Sequence, residues 1–133
     1  MANIKDKVVW LTGASSGIGE SLARELARRG AKLAITARTK EKLDKIASEL
    51  NQQGCNVTAF AADVTKPAEI NACVKEITQS LGDVEVLITN AGTYKPTEPE
   101  TFNAEEYNNI MKLNFSAMLF CIEAVLPKML EKK

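Results

Sequence analysis

The chain has 133 residues, with 17 lysines and arginines, 17 aspartates and glutamates, and no histidine. Zero net charge argues against a nucleic-acid footprint, which shows as a basic excess. The lack of histidine excludes His-based triads and the usual zinc chemistry, and predicts no metal site.

Residues 8–11, Val-Val-Trp-Leu, form an apolar run that predicts a first strand. Residues 12–19, Thr-Gly-Ala-Ser-Ser-Gly-Ile-Gly, follow, and Ile18, Leu22 and Leu26 then recur at helical spacing. The pattern is strand, glycine-rich turn, helix. Gly13 lets the backbone leave the strand sharply, Gly17 lets an anion approach the main chain, and Gly19 lets helix and strand pack closely. The helix that begins near Gly17 aims unpaired N–H groups and its positive dipole end over the turn, which suits a pyrophosphate. The glycines fall as G-x-x-x-G-x-G. That differs from the common G-x-G-x-x-G, and no Gly-Lys-Ser/Thr follows to make a Walker loop.

Residues 32–37 read as a second strand, and Thr39 can cap a helix with Leu43, Ile46, Ala47 and Leu50 on one face. Residues 57–62 are a third strand, less hydrophobic and so nearer an edge. Thr65 and Pro67 are start signals for a helix carrying Ile70, Cys73, Val74, Ile77 and Leu81, which stops at Gly82. Residues 84–89 are a fourth strand. After a loop with Pro96 and Pro99, Asn103 and Glu106 resemble a capping box. The last helix carries Tyr107, Ile110, Met111, Asn114, Met118, Ile122 and Val125 as one stripe, and Pro127 kinks or ends it. Asn114 within that stripe is a buried amide in need of a partner, at a cost of roughly 1–3 kcal/mol if it has none.

Alternating strands and helices predict an α/β, Rossmann-type doubly wound parallel sheet in the order 3-2-1-4, a single domain over residues 1–133. Ligands of such sheets lie outside the carboxyl ends of the strands at the switch point, here between strands 1 and 4. The glycine turn, Arg38, Asp63 and Asn90-Ala91-Gly92 all fall on that rim. Cys55, Cys73 and Cys121 are odd in number and lack C-x-x-C spacing, which fits small core hydrophobes in a reduced, cytoplasmic setting. No basic segment followed by an apolar run opens the chain, so no signal peptide is expected. The longest apolar stretch, residues 115–122, is too short to span a bilayer, and no membrane partner is expected.

With these residues in view, the chain resembles the short-chain dehydrogenase/reductase family over essentially its whole length. Thr12-Gly13-x-x-x-Gly17-Ile18-Gly19 is similar to that family's cofactor motif, and Ser15 and Ser16 lie within it. Asp63-Val64 is similar to its adenine-contact segment. Asn90-Ala91-Gly92 is similar to its Asn-Ala-Gly motif, with Thr89 where a second Asn is frequent. Asn114, in Met-Lys-Leu-Asn, stands where the family has a catalytic-set asparagine, accompanied by a distorted helix. The resemblance implies a nicotinamide cofactor and hydride exchange with a carbonyl or alcohol substrate.

An acid roughly 20 residues beyond the turn is what an NAD ribose needs. Here that place reads Thr36-Ala37-Arg38-Thr39, and the first acid, Glu41, lies inside the helix. Arg38 offers a guanidinium fork suited to a 2′-phosphate, and Ser15 can add a hydroxyl, so NADP(H) is expected over NAD(H). The family's chemistry uses a serine and a Tyr-x-x-x-Lys pair, the lysine lowering the tyrosine's pKa. Glu98 follows Tyr94 by four positions and Met111 follows Tyr107, so neither tyrosine qualifies.

The chain therefore resembles the family's N-terminal half, stopping before strand 5, with the cofactor cradle and Asn114 of the catalytic set. It is expected to be inactive alone, with strand 4's edge exposed and a homo-oligomer formed through the last helix. The alternatives are an inactive nucleotide-binding or subunit-pairing product and an S-adenosylmethionine-dependent methyltransferase. Asn90-Ala91-Gly92 and Arg38 argue against the methyltransferase.

Overall fold

The computed structural model describes residues 3–133. Four parallel strands, β1 (Val8–Thr12), β2 (Lys32–Thr36), β3 (Asn56–Ala59) and β4 (Val86–Ile88), lie in the order β3-β2-β1-β4. In register, Leu11 of β1 faces Ile35 of β2 on one side and Ile88 of β4 on the other. Helices α1 (Gly17–Arg28), α2 (Lys40–Gln52) and α3 (Pro67–Ser80) connect them. The chain ends in α4 (Ala104–Met111), a π-helical turn (Lys112–Ser116) and α5 (Ala117–Glu131).

Strand side chains alternate between faces, and both faces of this sheet are covered, so the central strands read as unbroken apolar runs. Val9, Leu11, Leu33 and Ile35 pack with Ala23 and Leu26 of α1 and Leu43, Ile46 and Leu50 of α2. Val8, Trp10 and Ala34 face the other way, onto Ile70, Cys73 and Ile77 of α3 and Ala117, Cys121 and Val125 of α5. Trp10 is fully buried and its indole N–H donates to Thr36 Oγ1 at 2.9 Å, which satisfies the one polar atom that its burial would otherwise strand. The doubly wound architecture is the one that the strand and helix alternation predicts.

Several local expectations shift. β4 is three residues long, and the segment before it is held differently: the Glu85 N–H donates to the Val8 carbonyl, and the Val8 N–H donates to the Glu85 carboxylate at 2.8 Å. Regular β3 stops at Ala59, yet Phe60 N–H still donates to Ile35 O and Ala62 N–H to Ala37 O, so the backbone stays paired up to the rim. Lys66, not Thr65, occupies the N-cap of α3, with Pro67 at its first position, because Thr65 is engaged by Asp63. Asn103 caps α4 by accepting from Glu105 and Glu106 N–H, but the Glu106 carboxylate pairs with Lys95 instead of closing the box.

The terminal helix differs most. Its inner face is Ala117, Cys121 and Val125, and not the predicted stripe. Of that stripe, Tyr107, Met111, Met118 and Ile122 are exposed and only Val125 is buried. Tyr107 and Met111 are exposed already before the π turn, so the misplacement begins upstream of it: apolar residues lie on both sides of this helix, and periodicity alone does not tell which side packs. Pro127 lies inside α5 without ending it. The carbonyl it leaves without a partner belongs to exposed Glu123, where water can serve it. Taken through its π turn, the run Ala104–Glu131 is 28 residues long and passes the length and composition test for a membrane span. The unbroken stretch 115–122 understated it because a helix tolerates isolated charges such as Lys112 and Glu123. Its inner side is committed to the protein core.

Candidate nucleotide-binding site

Thr12 closes β1 and is almost fully buried, with its hydroxyl oxygen accepting from Asn90 N–H at 3.1 Å and Ala91 N–H at 3.3 Å. The segment after β4 is thereby fixed to the end of β1. Gly13 follows at φ 67°, and a Cβ there would meet the Ala91 nitrogen at 2.7 Å. Only glycine fits the close approach and the left-handed backbone together. The Asn90 side-chain amide donates to the Gly13 carbonyl at 3.0 Å, and Gly19 sits directly beneath, where a Cβ would overlap that same carbonyl.

Ser16 stands at the N-cap of α1 in an extended conformation and makes no side-chain cap hydrogen bond. The first N–H groups of α1 are thus left for another acceptor. At Gly17, φ 56°, a Cβ would meet nothing within 4 Å, so the turn faces open space on this side.

A cleft of about 310 Å³ opens beside the turn, over the carboxyl ends of the strands. Gly13, Ser15, Ser16, Arg38, Asp63, Val64, Asn90, Ala91 and Gly92 line it, joined by Ala37, Thr39, Ala62 and Leu113. Four segments separated in sequence converge there because each follows the carboxyl end of one parallel strand. Of the residues predicted for cofactor contact, Gly17, Ile18 and Gly19 are not in the lining. Ile18 is 79 % exposed, whereas Gly19 is buried and sets how closely α1 approaches the turn.

Asp63 Oδ1 accepts from the Thr65 hydroxyl at 2.6 Å and the Thr65 N–H at 3.0 Å. Those hydrogen bonds, the hydroxyl's first, hold its carboxyl below the ordinary range, with the charges of Lys66 and Arg38 adding to the effect. Arg38 itself is exposed and makes no ion pair at bonding distance among the described residues.

Asn114 lies at the middle of the π turn. The expectation that it is buried does not hold: it is exposed. Both ends of its amide are nonetheless engaged, with Nδ2 donating to Thr93 O at 2.8 Å and Oδ1 accepting from Thr93 N–H at 2.7 Å. A Cβ at Gly92 would press on Asn114 Oδ1 at 3.1 Å. The pair fixes the chain as it leaves the cleft. Behind it, Thr12, Thr89, Asn114, Met118 and Cys121 border a cavity of about 70 Å³.

Thr39, Leu113 and Thr93 escaped the sequence reading as site residues, whereas Thr12 entered it only as the first position of the glycine motif. Tyr94 is 84 % exposed, and Tyr107 stacks on Phe102 at 5.0 Å between ring centroids.

A dinucleotide fits what the residues offer. The glycine turn and the free N–H groups of α1 suit a pyrophosphate, Asp63 and Val64 border the far side, and Arg38 and Ser15 supply donors between them.

Comparison with known proteins agrees with this geometry. The short chain dehydrogenase model matches residues 7–133. An uncharacterized oxidoreductase of Staphylococcus saprophyticus is 41 % identical over 133 residues, which cover the whole chain and 53 % of the relative. A short-chain type dehydrogenase/reductase from Mycobacterium marinum superposes with a TM-score of 0.91 at 27 % identity, over 98 % of this chain and 53 % of that one. LigO from Sphingobium sp. strain SYK-6, in its apo form, gives 0.92 at 26 % identity, over 99 % and 49 %. The chain spans about half the length of the relatives it matches. With its sheet order, its glycine turn and its family match in agreement, the chain belongs to the short-chain dehydrogenase family.

Proposed function

We propose that this chain holds NADP(H) in the cleft and serves a short-chain oxidoreductase acting on a carbonyl or secondary alcohol. The convergence of Gly13, Arg38, Asp63 and Asn90 on a single cleft carries this reading. When bound, the nicotinamide supplies or accepts a hydride. This chain's own residues bind and orient. The α1 N–H groups and the hydroxyls of Ser15 and Ser16 receive the phosphates, Asp63 and Val64 border the adenine, and Arg38 receives the 2′-phosphate. Asn90 and Thr12 keep the turn in shape, and Asn114 holds the segment that leaves Gly92.

Proton transfer needs groups these residues do not provide, namely the serine and the Tyr-x-x-x-Lys pair. Turnover is therefore assigned to a polypeptide that includes them. A reduced, cytoplasmic setting and self-association through the apolar outer face of α4 and α5 belong to the same reading. Titration with NADPH and NADH tests it, and tighter NADPH binding is expected. Equal affinity, or tighter NADH, would remove the assignment of Arg38. A ketone panel with NADPH tests the chemistry, with turnover expected only where the serine, tyrosine and lysine are present.

A further inference from the structure

Asp63 reaches the rim of the cleft on a backbone that is held from several directions. Just before it, Ala62 N–H donates to Ala37 O at 3.1 Å, which ties the chain beyond β3 to the end of β2. Its own N–H donates to the Glu69 carboxylate at 3.1 Å, and its carbonyl accepts from Lys66 N–H at 3.0 Å. Val64, the next residue, is buried in the core. The freedom that remains is rotation of the Asp63 side chain.

Thr65 removes it. The Thr65 hydroxyl donates to Asp63 Oδ1 at 2.6 Å, and the Thr65 N–H donates to the same oxygen at 3.0 Å. Two donors on one oxygen fix the orientation of the carboxylate. Among the described residues, no hydrogen bond or ion pair uses the other oxygen, Oδ2. The same donors, the hydroxyl first, hold the carboxyl below its ordinary range, so it stands ionised and can only accept. Asp63 lines the cleft and Thr65 does not, so any influence of Thr65 on a ligand there passes through Asp63.

We infer that Thr65 is a positioning residue: it orients Asp63 so that Oδ2 accepts from the 6-amino group of the dinucleotide's adenine, and the cleft thereby selects adenine over a purine without that group. The inference rests on Asp63 bordering the adenine, as proposed for the cofactor. Adenine offers N–H donors at its 6-position, which suit an acceptor that has no proton to give. Hypoxanthine carries an oxygen in that place, and two acceptors facing each other repel.

The test is titration with NADPH and with its hypoxanthine analogue, deamino-NADPH, on the purified chain and on Thr65→Val. The two ligands share the pyrophosphate, the 2′-phosphate and the nicotinamide, so those contacts cancel in the ratio of dissociation constants. The parent is expected to favour NADPH roughly tenfold. Thr65→Val keeps the N–H donor and the shape but loses the hydroxyl, and is expected to bring the ratio down to roughly threefold. Thr65→Ser returns the hydroxyl without the methyl group and is expected to restore the parent ratio, which a packing effect would not do. Asp63→Ala is expected to abolish the preference, and adding Thr65→Val to it is expected to change nothing further. Should Thr65→Val fold poorly, Thr65→Ala gives a second reading. A parent ratio retained without the hydroxyl, a loss that Thr65→Ser fails to restore, or a preference that survives Asp63→Ala overturns the inference alone. A parent that binds both ligands equally overturns it together with the adenine contact of Asp63. A parent that binds neither overturns the dinucleotide reading itself.

Discussion

The side-chain amide of Asn90 donates to the carbonyl of Gly13 at 3.0 Å, across 77 positions of chain. A Cβ on Gly19 would lie 2.5 Å from that same amide. The three residues form one stack in which a helix glycine leaves room for an asparagine that secures a turn glycine. Gly19→Ala has no way to relieve this, because the obstructing atoms are backbone and a committed amide. The variant is expected to lose several kcal/mol of stability, the range of overpacked cores and broken buried hydrogen bonds. Asn90→Ala, which removes a single hydrogen bond, is expected to lose about 1 kcal/mol. Thermal melts of the two variants check the order.

Thr12 carries two backbone donors on one oxygen. Thr12→Val preserves shape and leaves the N–H groups of Asn90 and Ala91 without their acceptor, at a cost of about 1–3 kcal/mol. Thr12→Ser restores the oxygen and is expected to recover most of it. Denaturant midpoints distinguish this from a packing effect, since the serine loses the methyl group and the valine does not.

Asn114 grips the Thr93 peptide at both its N–H and its carbonyl. Because the side chain is exposed, Asn114→Ala is expected to cost little global stability, about 1 kcal/mol or less. The local effect is larger: the Thr93 amide loses its acceptor and is expected to exchange with solvent many times faster. Hydrogen exchange at that position, set against an unchanged core, is the measurement.

How much of this was legible beforehand depended on whether the signal was local. The sheet order follows from apolar runs alternating with helix-period segments, which is why β1 to β4 and α1 to α3 were readable. Gly13, Arg38, Asp63 and Asn90 were readable as a group because parallel topology sends every strand's carboxyl end to one rim. The inner face of α5 was not. Apolar residues on both sides of the helix mask which side packs, and the exposed stripe begins before the π turn. Nor was the use of Asn114 readable, since its partner is main chain and carries no sequence signature. The same holds for Glu106, whose carboxylate is drawn to Lys95 instead of closing the box, a contact that depends on the path of the intervening loop.

Burial pushes the Cys73 thiol up to about 11 and the Cys121 thiol up to about 12, from an ordinary 9.0. Both groups keep their protons in the folded state at pH values where an unfolded chain gives them up. The stability they contribute is therefore complete below pH 9 and falls as pH rises from there through the folded values. Alkaline unfolding of the parent is expected to be steeper between pH 9 and 11 than that of a Cys73→Ala, Cys121→Ala variant. At neutral pH, a thiol reagent is expected to modify half-buried Cys55 and to spare the other two until the protein is denatured.

The outer face of the terminal helix bears Met111, Phe115, Met118, Ile122, Leu126 and Leu130, all exposed and about one turn apart. Spaced in this way they form a continuous apolar strip of the kind that marks an interaction surface. In an isolated molecule, Ile122→Glu with Leu126→Glu replaces exposed side chains and is expected to alter stability by about 0.5 kcal/mol per site. In a self-associated one, the same charges are buried without partners and the assembly is expected to dissociate. Sedimentation of parent and variant separates the cases, because only the second changes mass. Val125→Glu is the control for folding. Its side chain is 3 % exposed and packs toward Trp10 and Cys121, so it is expected to unfold the domain whatever the oligomeric state. A variant pair that leaves sedimentation unchanged, beside a control that unfolds, would mean that this face is solvated in the native protein.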